Sequence, residues 1–274
     1  MGEGAPGLQA AAGRLAARLL HGTGLGRRGL VETQIAASFP DRDAEWVRTV
    51  GADCYRHFGE EVAMLASGRR GVRRALARVD GAAAVDRLRE TLGENQAAVI
   101  VTGHIGNWEL AGAYLASAGV PVTAVARRQR GPLGGRLHRL REGLGIDVID
   151  HDAGAGPVVR ALRSGRCVTL VADQHAYRGA ERIPFLGRPA WTRLGPARLA
   201  AAARVPLAFG ALVRDGTGYV AEFRVLPDGL VESGDPVTVT REWVSYLEQA
   251  VRGRPEQYFW FHRRWKNPPR RAGR

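Results

Sequence analysis

The chain has 274 residues, and its 40 Lys and Arg residues against 27 Asp and Glu residues give it a formal net charge of +13. With 45% apolar and 24% charged residues, the composition excludes a disordered or low-complexity chain. Two cysteines are too few for a disulfide framework, so we expect a reduced, intracellular protein. Excess positive charge favours nucleic acid, an anionic membrane or an acidic protein as a partner. Codon bias alone would explain only the preference for Arg over Lys.

The N-terminal part, to about residue 95, is predicted to be helical. Leu8, Leu15 and Leu19 recur at helical spacing, and Arg14 and Arg18 lie four residues apart. Such a helix either lies in a membrane interface, with its arginines toward lipid phosphates, or packs on its own domain. The residues leave both interpretations open. No stretch reaches the roughly 20 apolar residues of a membrane span, and no signal peptide is recognisable.

Two further helices are predicted in this part. Asp41 is the expected N-cap of a helix that continues to about residue 67. The next helix is predicted over residues 72–92, with an interruption at Gly81.

From residue 96 onward, short apolar runs alternate with helical stretches. The predicted strands are 97–102, 122–126, 146–149, 167–172, 207–213 and 219–225, and the predicted helices are 108–118, 132–142, 157–163, 195–203 and 241–251. This alternation indicates an α/β fold with a largely parallel central sheet flanked by helices. We expect a single domain over residues 1–274, in which residues 96–267 form the α/β core.

A histidine and a glutamate stand where the first of these strands gives way to a helix. Residues 99–112 read VIVTGHIGNWELAG, which places His104 on the turn and Glu109 in the first helical turn. Ligands of open α/β sheets bind at this carboxyl edge. A carboxylate that holds one imidazole nitrogen leaves the other to accept a proton. On these residues alone, a helix-capping histidine paired with Glu109 is the alternative.

The surroundings of this pair narrow the chemistry. No serine or cysteine nucleophile accompanies it, so we expect the substrate to supply the hydroxyl group that is activated. The sequence contains no H-E-x-x-H motif and no cysteine spacing typical of a metal site, so no metal ligand is predicted.

Residues 103–109, GHIGNWE, resemble the H-x-x-x-x-D/E block of lipid acyltransferases. The resemblance is closest to the late lauroyl and myristoyl acyltransferases of bacterial lipid A biosynthesis, with which the phosphatidylinositol mannoside acyltransferases share the block. Further blocks match in order at 173–174, 183–187, 192–200 and 255–266. The resemblance extends from about residue 30 to residue 267 and implies a fold like that of the glycerolipid acyltransferases.

The resemblance implies a reaction as well as a fold. An acyl group would pass from a thioester, on acyl carrier protein or coenzyme A, to a hydroxyl group of a membrane glycolipid such as a lipid A precursor. Phosphatidylinositol mannosides or other lysophospholipids and glycolipids are the alternative acceptors. His104 would take the hydroxyl proton, and Glu109 would orient the imidazole and stabilise its charge. No cofactor is implied beyond the acyl donor.

The resemblance also implies a group that stabilises the oxyanion of the reacting thioester. Arg141 matches the family arginine best, and Arg136 and Arg139 are rivals because the alignment there needs a gap of one residue. The alternative for Arg141 is a solvated helix face.

Four other residues are candidates for contacts with substrate. Asp173 is either a polar substrate contact or a carboxylate that caps its loop, and Gln174 is a weaker candidate. Arg263 and Arg264, between aromatic residues near the end of the chain, are expected to contact a phosphate or headgroup.

Two other classes of function compete with the acyltransferase. A basic nucleic-acid-binding protein would need clustered arginines and a reading element, whereas the arginines here are spread through every segment. A hydrolase would use His104 to activate water. We expect peripheral attachment to the cytoplasmic face of the bacterial inner membrane, with an acyl carrier or acyl-CoA and an anionic lipid as partners and no nucleic acid. Many members of the family carry an N-terminal membrane-spanning helix that this sequence lacks.

Overall fold

The structure is a computed structural model of the chain, and it describes residues 5–23, 27–93, 96–127, 132–227, 229–232 and 234–266. Ten α-helices lie in these ranges: α1 (Ala5–Gly22), α2 (Arg28–Ser38), α3 (Ala44–Ala66), α4 (Gly68–Leu76), α5 (Ala82–Leu92), α6 (Trp108–Ser117), α7 (Pro132–Glu142), α8 (Ala155–Arg163), α9 (Gly195–Ala203) and α10 (Pro236–Gly253). Nine strands lie there as well: β1 (Val79–Asp80), β2 (Ala98–Thr102), β3 (Val122–Ala126), β4 (Asp147–Asp150), β5 (Cys167–Val171), β6 (Ala180–Phe185), β7 (Arg188–Arg193), β8 (Leu207–Asp215) and β9 (Gly218–Val225).

Seven of these strands form one sheet, in the order β1-β9-β8-β2-β5-β3-β4. Strands β8, β2, β5, β3 and β4 run parallel, whereas β9 is antiparallel to β8 and parallel to β1. Parallel strands that follow one another in the chain need long crossover connections, and these contain α6, α7, α8 and α9. Strands β6 and β7 form a separate antiparallel hairpin. The predicted α/β class, with a largely parallel sheet flanked by helices, is confirmed.

Both faces of the central strand β2 are buried, so its sequence is a continuous apolar run. Val99 and Val101 belong to one hydrophobic core, together with residues of α9 and α10. Ala98 and Ile100 belong to a second core, on the other face, with residues of α4, α5 and α6. Because helices cover both faces, the candidate site lies at the edge of the sheet formed by the carboxyl ends of the parallel strands.

The first helix packs on the protein and also exposes leucines. Gly13 of α1 approaches Gly59 of α3 so closely that a Cβ atom on either would collide with the backbone of the other. On the remaining surface of α1, Leu15, Leu19 and Leu20 are 59%, 59% and 49% exposed. The structure therefore shows the packing of α1 on its own domain, and it leaves a leucine-bearing surface of the same helix exposed. Within the described ranges, no helix has both the length and the apolar composition that crossing a bilayer requires.

Two predictions in the helical part are wrong. The N-cap of α3 is Asp43 and not Asp41, because the Asp43 carboxylate reaches the backbone N–H of Trp46 at 2.7 Å. The helix expected over residues 72–92 is two helices, with strand β1 between them. Gly81 lies at that break, against Ala221 of β9, where a Cβ atom would collide.

Helix α2, strand β1 and the β6–β7 hairpin are elements that the sequence did not predict. The last helix, predicted over 241–251, begins five residues earlier, at Pro236, where the Asp235 side chain caps it. All six predicted strands are present, with ends that shift by at most two residues.

Candidate active site

A buried aspartate, Asp173, binds the imidazole of His104. His104 lies on the turn between β2 and α6, and Asp173 follows β5, the parallel neighbour of β2. The backbone N–H of His104 donates to Asp173 Oδ2 at 2.9 Å, and His104 Nδ1 lies 2.6 Å from Asp173 Oδ1. Asp173 is 2% exposed. One carboxylate therefore binds both the backbone and the ring of His104.

This contact fixes which ring nitrogen is available. An ionised carboxylate only accepts hydrogen bonds, so Nδ1 of His104 carries a proton and Nε2 is left as the acceptor. The side-chain amide of Gln174 lies beside this nitrogen, with the Nε2 atoms of the two residues 3.2 Å apart. Gln174 is exposed, so the reactive nitrogen lies on the solvent side of the ring.

His104 and Asp173 shift each other's pKa. Burial lowers the pKa of His104, but the charge and hydrogen bond of Asp173, helped by the charge of Glu109, outweigh burial and raise that pKa above 6.5. Burial raises the pKa of Asp173, but the charge and hydrogen bonds of His104, with the charge of Arg264, lower it to about 2. Asp173 is therefore ionised throughout the physiological pH range and makes His104 a stronger base.

Glu109 binds an arginine and not the imidazole. Arg141 Nε donates to Glu109 Oε2 at 2.8 Å, and its Nη2 donates to Oε1, in a bidentate pair. Both side chains are 14% exposed. The carboxylate that contacts the imidazole is thus Asp173, and not Glu109 as expected. Arg136 and Arg139, the rivals of Arg141, are exposed on α7.

Aromatic side chains surround the imidazole above the sheet. Trp108 lies edge-on to the His104 ring, with centroids 4.8 Å apart, and Phe259 lies 5.9 Å away. Phe58 of α3 contacts both aromatic residues. The backbone N–H of Phe259 also donates to the His104 carbonyl at 2.8 Å. The C-terminal tail, residues 254–266, therefore closes over the turn and packs rings beside the base.

The match to a family model covers nearly the whole chain. Residues 8–267 match the model described as bacterial lipid A biosynthesis acyltransferase. The chain belongs to this family. It is therefore an acyltransferase, and its reaction takes an acyl donor and a lipid acceptor.

Relatives of the chain carry a more specific name within lipid metabolism. The chain is 29% identical over 219 residues, 78% of its own length and 68% of the relative's, to a phosphatidylinositol mannoside acyltransferase from Mycobacterium tuberculosis strain H37Rv. It is 27% identical over 186 residues, 66% of its own length and 60% of the relative's, to a phosphatidylinositol mannoside acyltransferase from Mycolicibacterium smegmatis.

The two tail arginines of this acyltransferase differ in their surroundings. Arg263 is exposed, as a headgroup contact would require. Arg264 is 2% exposed, and it donates to the carbonyl of Trp191 at 2.6 Å and to Thr192 Oγ1. The expectation that Arg264 contacts a headgroup is thus corrected, because its guanidinium lies inside the protein and ties the tail to β7.

Sequence reasoning missed several residues that support the acyltransferase site. The Tyr258 hydroxyl hydrogen bonds to Asp173, and burial together with the charge of Asp173 raises the pKa of Tyr258 well above 10. Beyond the turn, buried Glu61 forms an ion pair with the partly exposed Arg214. The H-x-x-x-x-E spacing gives no sign of these contacts, because their partners are distant in the chain. Only Tyr258 could have been suspected, since it lies within the terminal block at residues 255–266 that resembles the family's.

Proposed function

We propose that the protein transfers a fatty acyl group from a thioester to a hydroxyl group of a membrane glycolipid, with His104 as the general base. The observation that carries this proposal is the contact between His104 and Asp173. Nδ1 of the ring lies 2.6 Å from a buried carboxylate, and Nε2 faces an exposed side chain. No serine or cysteine hydrogen bonds to the ring among the described residues, so the acceptor itself is the nucleophile.

The first step is proton transfer. Nε2 of His104 takes the proton of the acceptor hydroxyl as the oxygen attacks the thioester carbonyl carbon. The imidazolium that forms is stabilised by Asp173 on Nδ1. When the carbon–sulfur bond breaks, the proton on Nε2 passes to the departing sulfur, which leaves an ester and a free thiol.

Arg141 is the proposed donor to the oxyanion of the tetrahedral intermediate. Glu109 occupies its Nε and Nη2 groups, and Nη1 has no hydrogen-bond partner within the described ranges. Arg141 also lines a cavity of about 190 Å³ beside Ala126 and Val148, at the carboxyl ends of β3 and β4. We assign Glu109 the role of holding this guanidinium in place, and not that of the partner of the base.

The identity of the acceptor lipid is proposed from the relatives, because the geometry of the site does not distinguish one glycolipid from another. The relatives described above are phosphatidylinositol mannoside acyltransferases. This favours a phosphatidylinositol mannoside over the lipid A precursor that the sequence motifs first suggested. The donor is the thioester of coenzyme A or of acyl carrier protein.

Peripheral attachment to an anionic membrane is part of the proposal. Leu15 and Leu19 on α1 are more than half exposed, as is Val62 on α3 at 65%. Arg14 and Arg18 lie on the same helix. Exposed leucines with flanking arginines suit a helix that rests in the interface of a bilayer. The partners are thus an acyl donor and an anionic lipid surface, and a nucleic acid is not proposed.

The experiment supplies radiolabelled acyl-CoA or acyl carrier protein to the purified protein. The vesicles contain a phosphatidylinositol mannoside, a lipid A precursor or a lysophospholipid. We expect label in the mannoside, and His104→Ala lowers the rate by at least about 100-fold. His151→Ala, which removes an exposed histidine, is the matched control and keeps the wild-type rate.

Three outcomes contradict the proposal. Full activity of a folded His104→Ala variant removes the base, and release of free fatty acid without labelled lipid indicates a hydrolase. Vesicle flotation tests the attachment: Leu15→Glu with Leu19→Glu is expected to abolish binding to anionic vesicles. Binding that ignores lipid charge and salt contradicts the electrostatic part.

A further inference from the structure

The turn that carries His104 rests on a buried polar network that lies outside the His104–Asp173 contact. Its centre is Glu61 of α3, which is 4% exposed. Glu61 Oε2 accepts from Asn107 Nδ2 at 2.6 Å, and Oε1 accepts from Arg214 Nε at 2.9 Å. The Tyr219 hydroxyl also donates to Glu61, 3.0 Å from Oε2. Three donors from three elements therefore meet on one carboxylate.

Asn107 connects this carboxylate to the turn. Its Oδ1 accepts from the backbone N–H of Leu110 at 2.8 Å and caps α6, while its own N–H donates to the carbonyl of Leu212 at 2.8 Å. Glu61 requires a donor on one side of the amide, and Leu110 requires an acceptor on the other. Only one orientation of the asparagine side chain satisfies both, so the network fixes it.

The backbone beside Asn107 is held as firmly. Gly106 has a φ of +57°, and a Cβ atom there would clash with the carbonyl of Leu212. The N–H of Gly106 donates to the Gln257 carbonyl at 2.9 Å. The Gln257 side chain in turn accepts from Arg214 N and donates to Arg214 O, each at 2.8 Å. Strand β8, the tail and α3 all converge on these two residues of the turn.

The position of Asn107 in the chain gives the network its functional consequence. Asn107 lies three residues after His104 and two residues before Glu109. A displacement at Asn107 therefore moves the base and the carboxylate that holds Arg141 relative to each other. Displacements of about 1 Å in a catalytic group lower rates by roughly 100-fold.

We propose that Glu61 is a positioning residue for acyl transfer, which acts through Asn107 to set the spacing between His104 and the Glu109–Arg141 pair. The inference rests on the proposed function. The hydrogen-bond partners of Glu61 among the described residues are Asn107, Arg214 and Tyr219, and the His104 imidazole is not one of them. We therefore expect a change at Glu61 to lower kcat and to leave KM nearly unchanged.

The competing explanation is that the network only stabilises the fold. Asn107→Asp distinguishes a positioning role from a role in stability alone. An aspartate still caps α6 but places a second carboxylate against Glu61. The helix cap is kept, and the contact beneath the turn becomes repulsive. In the Glu61→Gln background the same substitution meets an amide, which donates to the new carboxylate. The pair of substitutions therefore exchanges donor and acceptor and restores the contact.

The experiment measures kcat and the KM for acyl-CoA and for the glycolipid, together with the melting temperature of each variant. We expect Asn107→Asp to lower kcat by about 100-fold, with both KM values within about twofold of wild type. Glu61→Gln with Asn107→Asp is expected to recover at least about tenfold of that loss. Asp43→Asn, which exchanges carboxylate for amide at the exposed cap of α3, is the control and keeps the wild-type kcat.

Each outcome decides the matter. A folded Asn107→Asp variant with wild-type kcat overturns the inference, as does an equal loss in the Glu61→Gln background. If Asn107→Asp does not fold, Glu61→Gln alone is the test, and an unchanged kcat overturns the inference. Wild-type protein that transfers no acyl group contradicts the proposed function itself, so the two failures are distinguishable.

Discussion

Two carboxylates flank the turn that carries His104, and they have different partners. Asp173 is 2% exposed and binds the imidazole of His104. Glu109 is 14% exposed at its side chain and binds the guanidinium of Arg141. One carboxylate thus acts on the base, and the other acts on the proposed oxyanion donor.

The difference arises from the order of the strands. Asp173 follows β5, which pairs with β2 residue by residue, so the two strands deliver Asp173 and His104 to the same place. Glu109 lies in the first turn of α6 and pairs with Arg141, near the end of α7, which leads into β4. The H-x-x-x-x-E spacing along one segment therefore does not identify which carboxylate contacts the histidine, whereas the sheet topology does.

The largest expected effect comes from Asp173→Asn. The amide removes the charge that stabilises the imidazolium and no longer requires a proton on Nδ1, so the ring loses its tautomer preference. We expect kcat to fall by about 1,000-fold or more, measured as transfer of labelled acyl groups to glycolipid at saturating donor. Asp86→Asn, at an exposed aspartate of α5, is the matched control and should be silent.

A smaller loss is expected from Glu109→Gln, because the imidazole keeps its partner. Removing the ion pair frees Arg141 from its bidentate geometry, and we expect kcat to fall by about 100-fold. Arg141→Lys should cost a similar amount, since an ammonium group cannot form the bidentate pair. In the Glu109→Gln background, Arg141→Lys should cost much less, because the contact is already lost.

The relative losses of Asp173→Asn and Glu109→Gln test which carboxylate is the partner of the imidazole. A greater loss for Glu109→Gln than for Asp173→Asn would return the role of imidazole partner to Glu109. Additive losses for Glu109→Gln and Arg141→Lys would show that the two side chains do not act as a pair.

Local sequence patterns predict the scaffold of this site well. The strand before His104 is recognisable because β2 is buried on both faces and apolar throughout, and the turn follows directly from its end. The β6–β7 hairpin is missed because its strands, AERIPF and RPAWTR, mix charged residues and prolines with apolar ones. Strand β1 is missed because two residues carry no periodic signal.

The partners of the side chains are predicted poorly, for a physical reason. The sequence leaves Asp173 undecided between a substrate contact and a loop cap, because its contact with His104 spans 69 residues of chain. Arg264 is expected at a headgroup because its sequence neighbours are aromatic and basic, yet its guanidinium is buried against the β6–β7 hairpin, where it hydrogen bonds to Trp191 O and Thr192 Oγ1. Both answers depend on which strands are neighbours, and local pattern does not contain that information.

The pH dependence of transfer sharpens the comparison further. Catalysis needs a neutral His104, so the rate falls about tenfold for each pH unit below the pKa of that ring. Because Asp173 raises this pKa, the acidic limb of the wild-type profile should lie above 6.5. Asp173→Asn removes the charge that raises the pKa of His104, whereas burial still lowers it. The acidic limb should therefore move to lower pH.

Glu109→Gln serves as the internal reference in the same profiles. The charge of Glu109 also raises the pKa of His104, but less than Asp173 does. The limb should therefore move in the same direction by a smaller amount. Equal displacement in the two variants would contradict the assignment of Asp173 as the principal partner of the ring.

The smallest expected effect concerns Gln174, which lies on the other side of the imidazole from Asp173. Its amide is 3.2 Å from His104 Nε2, where the acceptor hydroxyl must approach, and the side chain is exposed. Gln174 therefore has to leave this position before proton transfer, and a hydrogen bond lost in the reactive state contributes nothing to kcat. We expect Gln174→Ala to change kcat by less than about tenfold and to leave the acidic limb in place. A loss comparable to that of Asp173→Asn would show that Gln174 stays on the ring during transfer, and that the exposed side of the imidazole is as tightly organised as the buried side.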